Sequence, residues 1–350
     1  MVAKTVSLQP TDVEVAKGVC TWCGENEAQA FSEKTEAEIC AGCVVDLVGA
    51  LVGAGPKSLS AVPVYRKLAN DYGYVPPTVA LVGDYRRIAV EGVDGDQFNP
   101  GLCTSDDGSL LVNVRVVRGL RTYNYVGVLD PAGQIRQARE LFAPPAWNGS
   151  NFEDLRLFRW GGRVWGVAAV LRGLLAEGRI CQALCDLGAD AERIEAVHIQ
   201  PTPWSEKNWM PCVVSSPDGD RLRVIYSVDP SVTVLDMETA VSLSARGITP
   251  GGVIRGGSPL IPWRDGFLTV VHEQFRRGAQ KPAYLHRFVT FNRELTRARL
   301  GRRWHFLARD VEFCAGLVPH EGQYVLSFGV RDREAWVVYV TEDALGELLR

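Results

Sequence analysis

Residues 151–171 read NFEDLRLFRWGGRVWGVAAVL. Two strand-like runs flank Gly161-Gly162, the residue pair that a tight hairpin turn favours. Glu153, Asp154 and Arg156 stand at the head of the first run. Such a charged group either pairs at an outer surface or points into a shared polar cavity. The rest of the chain decides between the two.

The same layout recurs. QFNPGLC (97–103), SEKNWMPCV (205–213), RGGSPLIPW (255–263) and VEFCAGLV (311–318) are further leaders of this kind. Each is followed by a turn and a β-rich run: GSLLVNVRVV, GRVWGVAAVL, DRLRVIYSV, DGFLTVVHE and GQYVLSFGV. The units repeat every ~50–55 residues, and sustained helical periodicity is scarce outside the two ends of the chain. This texture predicts an all-β body over residues 79–350, built as a five-bladed β-propeller. A two-sheet sandwich is the alternative, and the five matched leaders fit it less well. In a propeller the first strand of each blade lines the central channel, so the leaders converge on one funnel.

The funnel candidates follow from the repeat. They are Asn99 and Arg115; Glu153, Asp154 and Arg156; Lys207, Asn208 and Asp229; Ser258 and His272; Glu312 and Asp332. Trp204, Trp209 and Tyr226 are neighbouring aromatic surfaces. A polyhydroxyl ligand needs many donors and acceptors and an aromatic platform. Cleavage of a glycosidic bond needs a carboxylic acid, with either a second carboxylate or an anionic acceptor held by cations. Taken singly, an Asp at a strand head is usually a turn or cap residue, Arg156 could only pin a blade, and His272 could be a core histidine. Trp160 and Trp165 read as inter-blade packing.

The motifs FNPGL…LLVNVRVV, EDLRLFRWGGRVWGV, EKNWMP, GGSPLIPWRDGFLTVVHE and EFCAGLV…YVLSFGVRD resemble, in order, the blade motifs of glycoside hydrolase family 130. That family comprises five-bladed propellers, mostly β-mannoside phosphorylases with some hydrolases. The resemblance implies an inverting enzyme acting on an oligosaccharide or sugar conjugate, and it admits inorganic phosphate as co-substrate. It makes Asp154 the general acid and Asp332 a second acid at the sugar hydroxyls. It places Arg115, Lys207 and His272 at phosphate, with Asn208 beside Lys207. Asn99, Glu153, Arg156 and Asp229 complete the substrate-binding set. The chain departs from the family in three places. Leu155 replaces a proline, Tyr226-Ser227-Val228 stands where the phosphorylases carry an arginine, and Glu273 follows His272 in place of a glycine. A carboxylate at Glu273 is expected to repel phosphate and favour water. A glycosyltransferase-related or non-catalytic glycan-binding propeller is the alternative reading.

Ahead of the body, residues 18–53 carry Cys20-x-x-Cys23 and Cys40-x-x-Cys43. Two such knuckles supply four thiolates, which closes a structural zinc site and leaves no open position for catalysis. The pattern CTWCG…ICAGCVVDLVGAL is similar to the N-terminal zinc-binding domain of the unfoldase ClpX. The expected organisation is a small treble-clef-like zinc module over residues 1–55, a connector over 56–78, and the propeller over 79–350. The resemblance implies protein contact or self-association through the module.

The bulk numbers fit. Apolar residues are 46% and charged ones 23%, an ordinary globular balance. A net charge of −3, and the glutamates around the zinc knuckles, disfavour nucleic acid. No run reaches the ~20 apolar residues that cross a bilayer. Nine cysteines without an apolar leader point to reduced or metal-bound thiols in the cytoplasm.

Overall fold

A computed structural model describes residues 78–144, 152–171, 180–200, 207–228, 232–237, 241–242, 254–277 and 280–350. It also describes three short strands near the front: β1 (Val13–Glu14), β2 (Ala30–Ser32) and β3 (Ala37–Ile39). These form one antiparallel sheet in the order β1-β2-β3. Cys20, Cys23, Cys40 and Cys43, and the connector up to residue 77, lie outside the described residues.

The body is almost wholly β, as the repeat predicts. It opens with β4 (Val79–Ala80) and β5 (Asp84–Val90). The first leader unit forms β6 (Asp96–Thr104), β7 (Leu110–Arg118), β8 (Arg121–Leu129) and β9 (Gln134–Glu140). The second forms β10 (Phe152–Trp160), β11 (Arg163–Leu171), β12 (Ile180–Asp186) and β13 (Ala196–Gln200). The third forms β14 (Met210–Val214), β15 (Arg221–Ser227), β16 (Thr233–Asp236) and β17 (Val241–Ser242). In the fourth, a broken inner strand, β18 (Ile254–Gly256) and β19 (Ile261–Trp263), pairs with β20 (Gly266–Arg277). Then follow β21 (Gln280–Asn292), β22 (Ala298–Leu300) and β23 (Trp304–His305). The fifth forms β24 (Glu312–His320), β25 (Gln323–Val330) and β26 (Glu334–Val340), and the helix α1 (Glu342–Leu349) ends the chain.

Successive strands pair antiparallel in the first, second, third and fifth units, while in the fourth β22 and β23 both pair with β21. The inner strands β24, β6, β10 and β14 contact one another in turn, and the fourth unit meets the third through β15 and β18 and the fifth through β20 and β24, in a propeller-like ring. The ring is closed from the front of the chain. Strand β5 adds to β26, from Ala335↔Ile88 to Tyr339↔Asp84, as the outer strand of the fifth unit. The far end of β5 pairs with β9, which joins the fifth and first units into one sheet.

The interfaces between units are apolar because each sheet is covered on both faces. Leu102, Val112, Val325 and Val337 fill the seam between the fifth and first units, and Leu111, Leu155 and Val164 that between the first and second. Phe158, Val167, Trp209 and Leu222 fill the next seam, with Trp160 and Trp165 packed against them as expected. Met210, Ile254 and Val271 follow, then Phe288, Trp304 and Phe328, against which Leu345, Leu348 and Leu349 of α1 seal one end. Thr341 caps α1, its side chain accepting from Ala344 N. Trp209 is therefore a seam residue, 3% exposed, and not the sugar platform expected of it.

Candidate active site

Three inner strands share a local device. Asn99, Asp154 and Asn208 have φ of 49°, 56° and 69°. This left-handed region is one that Asn and Asp tolerate better than other non-glycine residues. The pairing register slips at the same level, between Phe98 and Gly101 in β6 and between Glu153 and Arg156 in β10. Such a bulge re-aims one side chain out of the regular alternation. The strand heads also close in on each other. A Cβ at Gly101 would stand 2.0 Å from the Leu155 carbonyl oxygen, and one at Gly256 would stand 2.0 Å from that of Asn208. Only glycine permits these approaches.

The bulges gather the expected residues. Asn99 Nδ2 donates to Asp154 Oδ1 at 2.8 Å, and Asp154 is 8% exposed. Arg115 Nη1 lies 2.8 Å from Glu153 Oε2 and 3.7 Å from Asp154 Oδ1, and its guanidinium sits 4.9 Å above the Phe98 ring. Lys207 Nζ donates to the other oxygen of Glu153. Arg156 has no solvent exposure. Its Nε donates to Gly257 O at 2.6 Å, Nη1 to Asp154 O at 3.1 Å and Nη2 to Asn208 Oδ1 at 2.8 Å. It therefore ties the second unit to the third and fourth. Burial lowers its pKa to about 10, so it keeps its charge at neutral pH.

A second group adjoins the first through Phe313. Arg156 lies 5.2 Å from the Phe313 ring, and His272 meets that ring edge-on at 5.4 Å. His272 stacks on Tyr284 at 4.9 Å. Burial, then His286, then Arg255 and Arg156, push the His272 pKa well below its ordinary value. The shift favours its neutral imidazole. Asp332, in left-handed backbone just after β25, and Asp154 both act on the Tyr284 hydroxyl; burial first, and then these carboxylates, raise its pKa, against the pull of Arg255.

Asn99, Arg115, Glu153, Asp154, Arg156, Lys207 and Asn208 are thus contiguous, and His272 and Asp332 border them. Asp229 and Trp204 lie outside the described residues. Three residues expected in the funnel serve the scaffold instead, Glu273 because side chains alternate along a strand. Glu273 follows His272 and so faces the opposite side. There it accepts from Arg287 Nε at 2.5 Å and Arg303 Nε at 3.1 Å, fully buried. It neither repels phosphate nor holds water in the funnel. Glu312 accepts from the backbone N–H groups of Phe306, Leu307 and Ala308, each at 2.8 Å. Ser258 bonds Thr269 Oγ1 and accepts from Val270 N, both at 3.0 Å. All three hold the scaffold. Tyr226 meets Trp209 edge-on at 6.2 Å, in the seam.

Two bordering residues escaped the sequence reading. Tyr284 lies on the second strand of the fourth hairpin and Arg255 immediately before GGSP. Tyr284 belongs to no leader; Arg255 opens the leader RGGSPLIPW, and the pairing Arg255↔His272 brings it beside the site.

Among the described residues no group of three or more His, Cys, Asp or Glu side chains could hold a metal ion. No helix among them is long and apolar enough to cross a membrane. Cys103, Cys181, Cys185, Cys212 and Cys314 are buried and form no disulfide.

No protein-family model and no curated protein matches the sequence. The fold has solved counterparts. A mannose phosphorylase from Leishmania mexicana, solved with a phosphate ion, superposes with a TM-score of 0.53 at 14% identity, covering 75% of this chain and 89% of its own. A β-1,2-mannobiose phosphorylase from Listeria innocua, solved with β-1,2-mannobiose, gives 0.50 at 14% identity, over 75% and 93%. A glycosyl hydrolase from Bacteroides ovatus gives 0.51 at 13% identity, over 71% and 85%. The likeness is one of fold.

Proposed function

We propose that the protein is a carbohydrate-active enzyme that cleaves or forms a glycosidic bond with inversion, of the β-mannoside phosphorylase or hydrolase type. Asp154 is the general acid, donating a proton to the glycosidic oxygen directly or through a sugar hydroxyl. The observation that carries this reading is the bulge at Asp154. A buried carboxylate is turned out of its strand at the meeting point of the inner strands and held by Asn99 across a blade boundary. A structural aspartate gains nothing from that backbone strain, whereas an acid that must be aimed does. Asp332 and Tyr284 border the same space and suit sugar hydroxyls.

Phosphate as co-substrate has support from the phosphate-bearing fold relative. Two of its expected holders are already engaged, since Arg115 and Lys207 both pair with Glu153. That pairing weighs toward water as nucleophile. The deciding experiment measures products from β-mannosides and β-glucosides with and without inorganic phosphate. Phosphate-dependent release of a sugar 1-phosphate identifies a phosphorylase and free sugar a hydrolase. Turnover that survives Asp154→Asn removes this residue as the acid.

We read Cys20, Cys23, Cys40 and Cys43 as a structural zinc site that serves a protein partner or self-association. Their spacing supports this. One zinc per chain in the purified protein, lost on Cys20→Ser, is the expected result; a metal-free chain overturns it. The buried thiols of the body, which form no disulfide, suit the cytoplasm.

A further inference from the structure

We propose that Asn113 and Asn124 are positioning residues which, through one shared water molecule, hold the Arg115 guanidinium by its Nε and so keep its Nη1 on Glu153 and Asp154. Their part in turnover rests on the reading that Asp154 is the acid of a glycoside-active site; the water itself does not.

Strand register brings the three side chains together. Arg115 pairs with Asn124 across β7 and β8, and Asn113 stands two residues before Arg115. Directly paired residues share a face of the sheet, and so do residues two apart on one strand. Leu111, two residues before Asn113, and Val126, paired with Asn113, continue this face as part of the apolar seam between the first and second units. Asn113 has no solvent exposure and Asn124 is 3% exposed.

The orientation of each amide is fixed by its partner. Asn113 Nδ2 donates to Tyr125 O at 3.0 Å, and Asn124 Nδ2 donates to Phe152 O at 2.9 Å. A carbonyl only accepts, so the nitrogens stay there and each Oδ1 is left over. Asn113 Oδ1, Asn124 Oδ1 and Arg115 Nε are all buried and have no hydrogen-bond partner among the described residues. Two acceptors and one charged donor, adjacent on one face, select their occupant. A cation is repelled by the guanidinium. An anion finds one N–H and two oxygens that repel it. A water donates both protons to the amide oxygens and accepts from Nε–H, the ~3 bonds usual for a buried water.

The consequence is aim. Arg115 Nη1 lies 2.8 Å from Glu153 Oε2 and 3.7 Å from Asp154 Oδ1. The ion pair fixes one end of the planar guanidinium, and a bond at Nε fixes the other, which leaves one orientation. Asn124 also holds Phe152, the residue before Glu153. One amide thus steadies both the arginine and the strand that carries its carboxylates.

The test begins with crystals of the wild-type chain and of Asn113→Leu that show ordered water. The wild type is expected to hold one water within about 2.7–3.2 Å of Asn113 Oδ1, Asn124 Oδ1 and Arg115 Nε. Asn113→Leu is expected to lose it and to release Arg115 Nη1 from Glu153, while Asn113→Asp, which keeps an acceptor, retains both. No water in the wild type, or an arginine unmoved in Asn113→Leu, overturns the proposal. Initial rates on the active glycoside then separate positioning from mere stability. Asn113→Leu should lower kcat about tenfold, as for one lost hydrogen bond to a charged group, and leave KM within about twofold. Asn113→Asp should recover most of the loss. In an Arg115→Ala background Asn113→Leu should cost nothing further, because it acts only through the arginine. Additive losses overturn the positioning role. If the wild type turns over no glycoside, the glycoside reading fails, and the crystals alone decide the water and its hold on Arg115.

Discussion

Asn99 and Asp154 both adopt left-handed backbone, and the amide of one holds the carboxylate of the other at 2.8 Å across a blade boundary. Neither could do so from a regular strand. The aim of the acid therefore belongs to two blades jointly, and a change in either disturbs it.

Asp154→Asn keeps the shape and removes the proton. Turnover is expected to fall about 10²–10⁴-fold, the usual contribution of a positioned acid. Asn99→Ala leaves the acid present but poorly held, and a loss of roughly tenfold to a hundredfold is expected from one missing hydrogen bond to a charged group. Initial rates on the active glycoside check both. Equal losses would mean that Asn99 does more than orient.

Arg156→Met is a test of scaffold rather than chemistry. It strands the Gly257 carbonyl and the Asn208 amide oxygen, each buried. At roughly 1–3 kcal/mol per unpaired group, a loss of about 3 kcal/mol and several degrees in thermal midpoint is expected. Arg156→Lys should recover part of it. An unchanged midpoint would show that the three units do not depend on this pin.

Glu273→Gln leaves half-buried Arg287 and buried Arg303 without their carboxylate. Breaking such a group from one side costs about 3–5 kcal/mol. Burial acts to raise the Glu273 pKa, but the two arginines outweigh it and hold the carboxyl below its ordinary value. The stability it contributes is present above the ordinary carboxylate range and is lost as the pH falls through the lowered pKa. The thermal midpoints of wild type and variant should therefore converge in acid. Parallel curves would refute the assignment.

Glu312 predicts the opposite slope. Burial raises its pKa to about 7, against three backbone donors. A raised carboxyl stabilises most at low pH, and that contribution is lost as the pH rises through the folded value. Wild type is expected to lose midpoint relative to Glu312→Gln between about pH 5 and pH 8. A constant difference would place the carboxyl at its ordinary value.

These two glutamates also mark how far the sequence could be read. The five leaders were legible because each joins a polar head to a β run at a constant period, and the inner strands lie where that period puts them. The Asp154 cluster was legible because its members share one leader or the next. Glu273 and Glu312 were misassigned to the funnel because proximity in sequence was taken for proximity in space; alternation sends Glu273 to the face opposite His272. Tyr284 and Arg255 were missed because cross-strand register decides their place, and the register of a long hairpin is not written in either strand alone.

The borrowed strand β5 has a consequence for biosynthesis. It leaves the ribosome before any blade is complete, yet its partner β26 emerges only after the first four units. Until then it is an unsatisfied β-edge, open to any other nascent chain. A premature stop before residue 334 would strand that edge permanently. Such a truncation should thus yield aggregates rather than a slightly weakened protein, although every residue of the Asp154 cluster would be present in each chain.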